Sequence, residues 1–207
     1  MQLIAGQPAP EQAAHFAILA QIASDDIFSI LFGSRADAVL GAMFQLSDND
    51  NSHLHTIFLQ DGEAIAGMVH AYAADVAQVQ ARRTAWLYMR FARWHALRAL
   101  AVGIRLSPLL DFVGANLVTD DFYIAMLALY PSFRGRGYGK LLLTEAERLA
   151  HERGCTRLTL DVEAGNTVAR AVYAAAGFQQ IDASNEVRLG GDTIKLLRLA
   201  KLVGQGC

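Results

Sequence analysis

The stretch that most restricts what this chain can fold into runs from Phe122 to Gly154. An apolar run, FYIAMLAL, is followed by YPSFRGRGYGK and then by LLLTEAERLAHERG. The apolar run has the length of a buried strand, and the last segment has helical apolar spacing. Three glycines, two arginines and a lysine therefore fall between a strand and a helix. The first amides of a helix lack intrahelical partners, and the helix dipole adds partial positive charge there. Glycine lets an anion approach the backbone without a side chain in the way. Strand, glycine loop and helix start together predict an anion site, with Arg134, Arg136 and Lys140 adding charge around it.

The rest of the chain alternates between the two periodicities. MQLIAG reads as a first strand, and the segment from Ala9 to Gly33 reads as helix with a bend near Ser24 and Asp25. Ser34 is placed to cap a short helix that follows. The segment from His55 to Ala73 reads as a hairpin around the turn pair Asp61-Gly62. A helical segment rich in Arg, Leu and aromatics spans about residues 75–120, with a break expected near Ser107-Pro108. After the glycine loop, the helix is expected to end at Gly154. In TRLTLDV, Leu158, Leu160 and Val162 alternate with polar residues as in a strand. NTVARAVYAAAG reads as a helix ending at Gly177. FQQIDAS and TIKLLRLAKL read as two last strands, turning at Gly190-Gly191. The mixture predicts an α/β or α+β fold, with residues 1–207 as a single domain.

Two familiar phosphate loops do not match. A Walker loop would need glycine where Arg134 stands and Ser or Thr where Leu141 stands. A dinucleotide fingerprint would need G-x-G-x-x-G, and the glycines here are Gly135, Gly137 and Gly139. What matches is R-x-x-G-x-G, Arg134 to Gly139, directly after a strand. Downstream, Asn166, Ala169, Tyr173, Gly177 and Phe178 form N-x-x-A-x-x-x-Y-x-x-x-G-F. The two together, in this order and with a strand between them, resemble the coenzyme A site of the GCN5-related N-acetyltransferases, the GNAT superfamily. The resemblance covers Tyr123 to Phe178.

That resemblance implies a mixed, mostly antiparallel sheet that splays open between its fourth and fifth strands and takes acetyl-CoA into the gap. It implies that backbone groups near Leu127 and Leu129 pair with the pantetheine arm, and that the pyrophosphate sits on the amides of Arg134, Gly135, Arg136, Gly137, Tyr138, Gly139 and Lys140. Asn166 would contact the cofactor arm. Tyr173 would lie near the thioester sulfur and protonate the departing thiolate. The implied reaction is direct attack of a primary amine on the thioester. Many members carry a glutamate in the fourth strand as base, and this strand has none. Asp121 at its start is the favoured substitute, with Asp120, Tyr123 and Glu163 as others; an amine arriving deprotonated needs no base. The acceptor is not legible. A non-catalytic acyl-CoA sensor or interaction module is the rival reading.

The residues also carry simpler readings. Tyr173 shares an apolar helical stripe with Ala169, Val172 and Ala176, where aromatics usually serve the core. Asn166 is also a good helix N-cap. The arginine-rich insertion reads as a packing element, an acceptor-pocket wall, a dimer surface or a membrane-surface helix. A net charge of −2 gives no global basic field for nucleic acid. Cys155 and Cys207 make no metal-ligand pair, and neither do the six histidines, so no metal is expected. No basic n-region with an apolar core opens the chain, and arginines interrupt its longest apolar segment. The expectation is a cytoplasmic protein without a membrane span.

Overall fold

The computed structural model describes residues 1–25, 27–92, 95–114, 117–189 and 192–204. In chain order the elements are β1 (Gln2–Ala5), α1 (Pro10–Ala23), α2 (Ile27–Phe32), α3 (Ala36–Phe44), β2 (Thr56–Asp61) and β3 (Ala64–Ala73). Then come α4 (Ala74–Ala92), α5 (Ala96–Gly114), β4 (Asp121–Leu129), α6 (Tyr138–Glu152), β5 (Arg157–Glu163) and α7 (Thr167–Ala175). The chain closes with β6 (Gln179–Ala183), β7 (Val187–Leu189), β8 (Asp192–Ile194) and β9 (Leu196–Leu202). Seven strands form one sheet in the order β1-β2-β3-β4-β5-β9-β6, and β7 and β8 make a separate hairpin. All neighbours in the large sheet are antiparallel except β4 and β5.

The parallel pair is short. β4 and β5 are in register only from Asp121↔Arg157 to Ile124↔Leu160. Beyond that row β4 continues to Leu129 and β5 to Glu163 without pairing to each other. The β3–β4 register explains where they part: His70 faces Met126 and Ala71 faces Ile124, so Ala125 is an extra residue in β4. A bulge of this kind bends its strand and raises the local twist. It also switches the faces of β4. Phe122 and Ile124 pack with α6, but so do Leu127 and Leu129, whereas Met126 and Ala128 pack with α1 and α3. Strict alternation would have put all the even-numbered residues on one side.

Each face carries its own core. On one, Leu142, Leu143, Ala146 and Ala150 of α6 bury against Val69, Ala71, Leu158 and Leu160. A fully buried leucine such as Leu142 or Leu158 is worth about 1.5–3 kcal/mol over an exposed one. On the other face, Phe16 and Leu19 of α1 and Leu40 and Phe44 of α3 cover Phe58, Met68 and Met126. The insertion helices lie outside this second layer. Leu87 of α4 and Ala99 of α5 pack on Phe32, Val39 and Met43, and Leu106 and Leu109 of α5 pack on Val187 of the small hairpin.

Several local expectations are corrected. Ser34 does not cap α3; Arg35 holds that position, without a side-chain cap. Helix α4 ends at Ala92, and α5 begins at Ala96 and continues through Pro108. Proline cannot donate to the carbonyl of Ile104, but Ser107 does so instead, from Oγ at 3.0 Å. The final segment forms four strands rather than two, and the Gly190-Gly191 turn lies outside the described residues.

Candidate functional site

β4 leads into a 3-10 turn, Pro131–Phe133, and then into the glycines. Gly135 and Gly137 have φ of 75° and 79°, a left-handed backbone that a side chain would strain. Gly137 is the N-cap of α6, which has neither a side-chain cap nor an acidic residue in its first turn. Among the described residues, the amides of Gly135 through Gly139 make no hydrogen bond. A Cβ at Gly135, Gly137 or Gly139 would meet nothing within 4 Å. The result is an open run of unsatisfied amides at the positive end of a helix dipole, an arrangement that can hold an anion.

The side chains around this cradle have distinct jobs. Tyr138 donates from its hydroxyl to Asp61 at the end of β2 at 2.7 Å, and that carboxylate raises the phenol's pKa by accepting a hydrogen bond from its protonated form. Arg136 lies 3.7 Å from the same carboxylate and donates to the carbonyl of Ser132. Both residues therefore brace the loop against the hairpin. Arg134 donates from Nε to the carbonyl of Leu129 at 3.3 Å, which engages that backbone acceptor. Lys140 is exposed, with no acidic partner among the described residues. Leu127 and Leu129 turn their side chains into the α6 core, and the edge of β4 on which they lie has no strand beside it.

The downstream motif is the two ends of one helix. Asn166 is the N-cap of α7, and its Oδ1 accepts from the amide of Ala169 at 3.0 Å. Its Nδ2 makes no hydrogen bond among the described residues. At the other end, the amide of Phe178 donates to the carbonyl of Tyr173, and that of Gly177 to Ala174. With Gly177 at φ 91°, this is a Schellman termination, and such ends bring their flanking apolar residues together. Tyr173 and Phe178 accordingly meet edge-on at 5.8 Å. Helix α6 ends the same way, at Gly154 with φ 71° and bonds from Gly154 to His151 and from Cys155 to Ala150. Tyr173 is half-buried against the α6-side core, and burial pushes its phenol up to about 12.

The opposite face carries a polar row that the sequence reading did not assemble. Arg198, fully buried on β9, grips Asp161 of β5 through two bonds of 2.9 and 2.8 Å. Its Nη2 also donates to the carbonyls of Phe112 and Val113, capping the C-terminal end of α5. Tyr123 donates to Asp161 at 3.0 Å, and burial, with Asp161 alongside, holds its phenol far above the ordinary value. Further along, fully buried His70 contacts Thr56 through Nδ1 and the carbonyl of Asp50 through Nε2, and burial lowers its pKa to about 3. Polar residues alternating with apolar ones inside "TLDV" and "LLRLA" were the available signal; alternation alone did not say that they meet.

Two expectations change here. Asp121 is fully buried and clamped by Arg157 through two bonds, one of 2.9 Å, while it accepts from the amide of Val118 at 2.9 Å. It lies at the paired end of β4, away from the splay, with its carboxylate engaged by the Arg157 ion pair there. The insertion divides. Val113 and Leu117, at and after the end of α5, cover Tyr123 and Ala125 at the vertex of the splay, but the arginines of α4 point outward. Arg93 lies outside the described residues.

The profile of the acetyltransferase (GNAT) family matches residues 24–178, and the chain belongs to that family. It is 34% identical over 73 residues to a [ribosomal protein bS18]-alanine N-acetyltransferase of Haemophilus ducreyi, covering 35% of this chain and 50% of that one. It is 43% identical over 66 residues to the N-alpha-acetyltransferase MAK3 of Arabidopsis thaliana, covering 32% and 35%. The chain thus spans about half the length, or less, of these curated relatives. An N-acetyltransferase structure from Staphylococcus aureus Mu50 shares the fold, with a TM-score of 0.63 at 16% identity over 97% of this chain and 100% of that one.

Proposed function

We propose that this chain transfers an acetyl group from acetyl-CoA to a primary amine. The observation that carries the reading is the run of free amides from Gly135 to Gly139, opening beside a β4 edge that β5 has left. The amides and the α6 dipole would hold the pyrophosphate, with Lys140 as the freest cation nearby. The unpaired edge near Leu127 would bind the pantetheine arm as an added strand does. The amine nitrogen bonds to the thioester carbonyl carbon, the C–S bond breaks, the thiolate takes a proton, and the proton that the nitrogen sheds passes to solvent, from which the donor is restored. Amides at the Ala125 bulge would stabilise the charge that develops on the carbonyl oxygen. Tyr173 would supply the proton; a phenol held near 12 stays protonated at neutral pH.

No carboxylate serves as a base in this reading. Asp121 and Asp161 are locked in buried ion pairs, and the Tyr123 phenol keeps its proton. The amine arrives neutral, so the rate should rise with pH as the acceptor's own ammonium group titrates. The test is acetyl-CoA turnover, read by thiol release, against peptides with free N-termini, lysine peptides, polyamines and aminoglycosides. Tyr173→Phe should lower kcat about ten- to a thousand-fold, within reach of the ~10²–10⁴ typical of general acids, while calorimetry finds CoA binding kept. CoA binding with no turnover on any amine would favour a sensor over an enzyme.

A further inference from the structure

Residues 75–114 contain six arginines, two aspartates and no lysine or glutamate, a net charge of +4. The chain as a whole carries −2, so the rest of it carries −6. The acetyl-transfer site uses none of this positive charge. Arg82, Arg90 and Arg105 are exposed and have no carboxylate partner among the described residues, and Arg83 is paired with Asp48 at 2.8 Å.

The same surface is apolar. Trp86 is 49% exposed, Leu97 80% and Ile104 66%. On α4, Arg82, Trp86 and Arg90 recur at one-turn spacing and are exposed, while Thr84 and Leu87 turn inward. On α5, Leu97, Leu100 and Ile104 form an i, i+3, i+7 stripe opposite buried Ala99, Leu106 and Leu109. Both helices turn their buried sides to the layer formed by α2 and α3. Their other sides therefore form one outward surface. The guanidinium groups of Arg83 and Arg90 lie 4.7 and 5.3 Å from the centre of the Trp86 ring, so cation and indole are presented together.

We propose that this outward surface of α4 and α5 docks on an anionic lipid bilayer. An exposed surface of arginines, an amphipathic indole and aliphatic side chains matches the boundary between charged headgroups and acyl chains. Lipids adapt to such a surface without a complementary groove. A second copy meeting it about a twofold axis would set +4 against +4, which disfavours that occupant. The helices lie in the interface plane with their apolar stripes inserted.

Flotation of the full chain with vesicles tests this. One set is phosphatidylcholine alone, and the other contains about one-third phosphatidylglycerol. Binding to the anionic set only, weakened by salt, is expected. The pair Arg82→Gln and Arg90→Gln should lower partitioning by about 25-fold, at roughly five-fold for each cation near an anionic surface. Leu97→Ser with Ile104→Ser should lower it as well, and both pairs should melt and bind CoA as the parent does. No binding to anionic vesicles at low salt overturns the proposal, as does equal binding to both sets. A dimer by light scattering that Leu97→Ser with Ile104→Ser disperses, without vesicle binding, would assign the surface to a second copy and overturn it too.

Discussion

The two basic stretches, Arg134 to Lys140 and Arg82 to Arg105, differ chiefly in the backbone that stands behind them. In the first, the cations surround a run of amides with no partners, at the start of a helix. In the second, Arg82, Arg83, Arg90 and Arg105 ride on the outside of α4 and α5, where backbone amides are spent on helix hydrogen bonds. The first can wrap a compact phosphate with fixed donors. The second can only spread charge over a surface. Positive charge in a sequence becomes a pocket when glycine or a helix start frees backbone donors beside it, and otherwise remains a patch. One of the points that fix the insertion inside the domain comes from Arg198 on β9.

The strongest way to break this comparison is to remove that point. Arg198→Ala leaves Asp161 buried without its cation and the carbonyls of Phe112 and Val113 without their donor. A loss of about 3–5 kcal/mol is expected in denaturant unfolding. Asp161→Leu with Arg198→Met should recover much of it, because a well-packed apolar pair often matches a buried ion pair. If Arg198→Ala unfolds as the parent does, the insertion is held by its other contacts, such as Thr84 with Asp50 and Tyr88 with Asn51.

Next in size is the cradle itself. Gly139 has no left-handed φ and open space around its Cβ position, so a side chain there costs the fold little. It would occupy the space in front of the free amides. Gly139→Val should weaken CoA binding by 100-fold or more, equivalent to about 2.7 kcal/mol, with a melting temperature near that of the parent. Arg90→Ala in the insertion should leave CoA affinity unchanged. Equal losses in the two variants would erase the distinction between the stretches. Gly137→Val is a poorer probe, since its φ of 79° adds strain to any effect on binding.

Why the first stretch was legible and the second was not follows from range. R-x-x-G-x-G and N-x-x-A-x-x-x-Y-x-x-x-G-F are local devices: loop, helix start, N-cap and helix end, each set by residues a few positions apart. Leu158, Leu160 and Val162 likewise announced β5. What escaped was set by contacts across the fold. The bulge at Ala125 is invisible in FYIAMLAL because every position there is apolar, so neither face stands out. Asp121 looked like a base at a strand entrance until Arg157, 36 residues later, was found on it. Arg198 and Asp161 sit in separate strands, and Pro108 read as a break because Ser107's compensation depends on a side-chain rotamer.

His70 offers a smaller test on the polar face. Its pKa of about 3 lies below the ordinary 6.5, because burial disfavours the charged ring. Below pH 6.5 the unfolded chain takes up a proton that the folded chain refuses, so stability should fall as pH drops from about 6.5 towards 3. The slope from this residue alone approaches about 1.4 kcal/mol per pH unit. Urea unfolding at pH 6 and pH 5 should show that slope in the parent and lose it in His70→Gln. An unchanged slope in the variant would mean that water reaches the ring.

The smallest expected effect separates two roles of Asn166. Its Oδ1 caps α7 through the amide of Ala169, and its Nδ2 is left for a ligand. Asn166→Ala removes both functions, at a cost of about 1 kcal/mol in stability. Asn166→Ser keeps an oxygen for the cap and removes only the amide donor. If the cap is the whole role, the serine variant should match the parent in stability to within a few tenths of a kcal/mol and in CoA affinity as well. If Nδ2 also reaches the cofactor arm, stability stays and affinity falls by about five- to ten-fold, the worth of one neutral hydrogen bond. The second outcome is expected, because α7 begins directly after β5, the strand that leaves β4 to open the gap. Calorimetry with CoA on the serine variant decides it, and an unchanged affinity would reduce the asparagine in this motif to a helix signal.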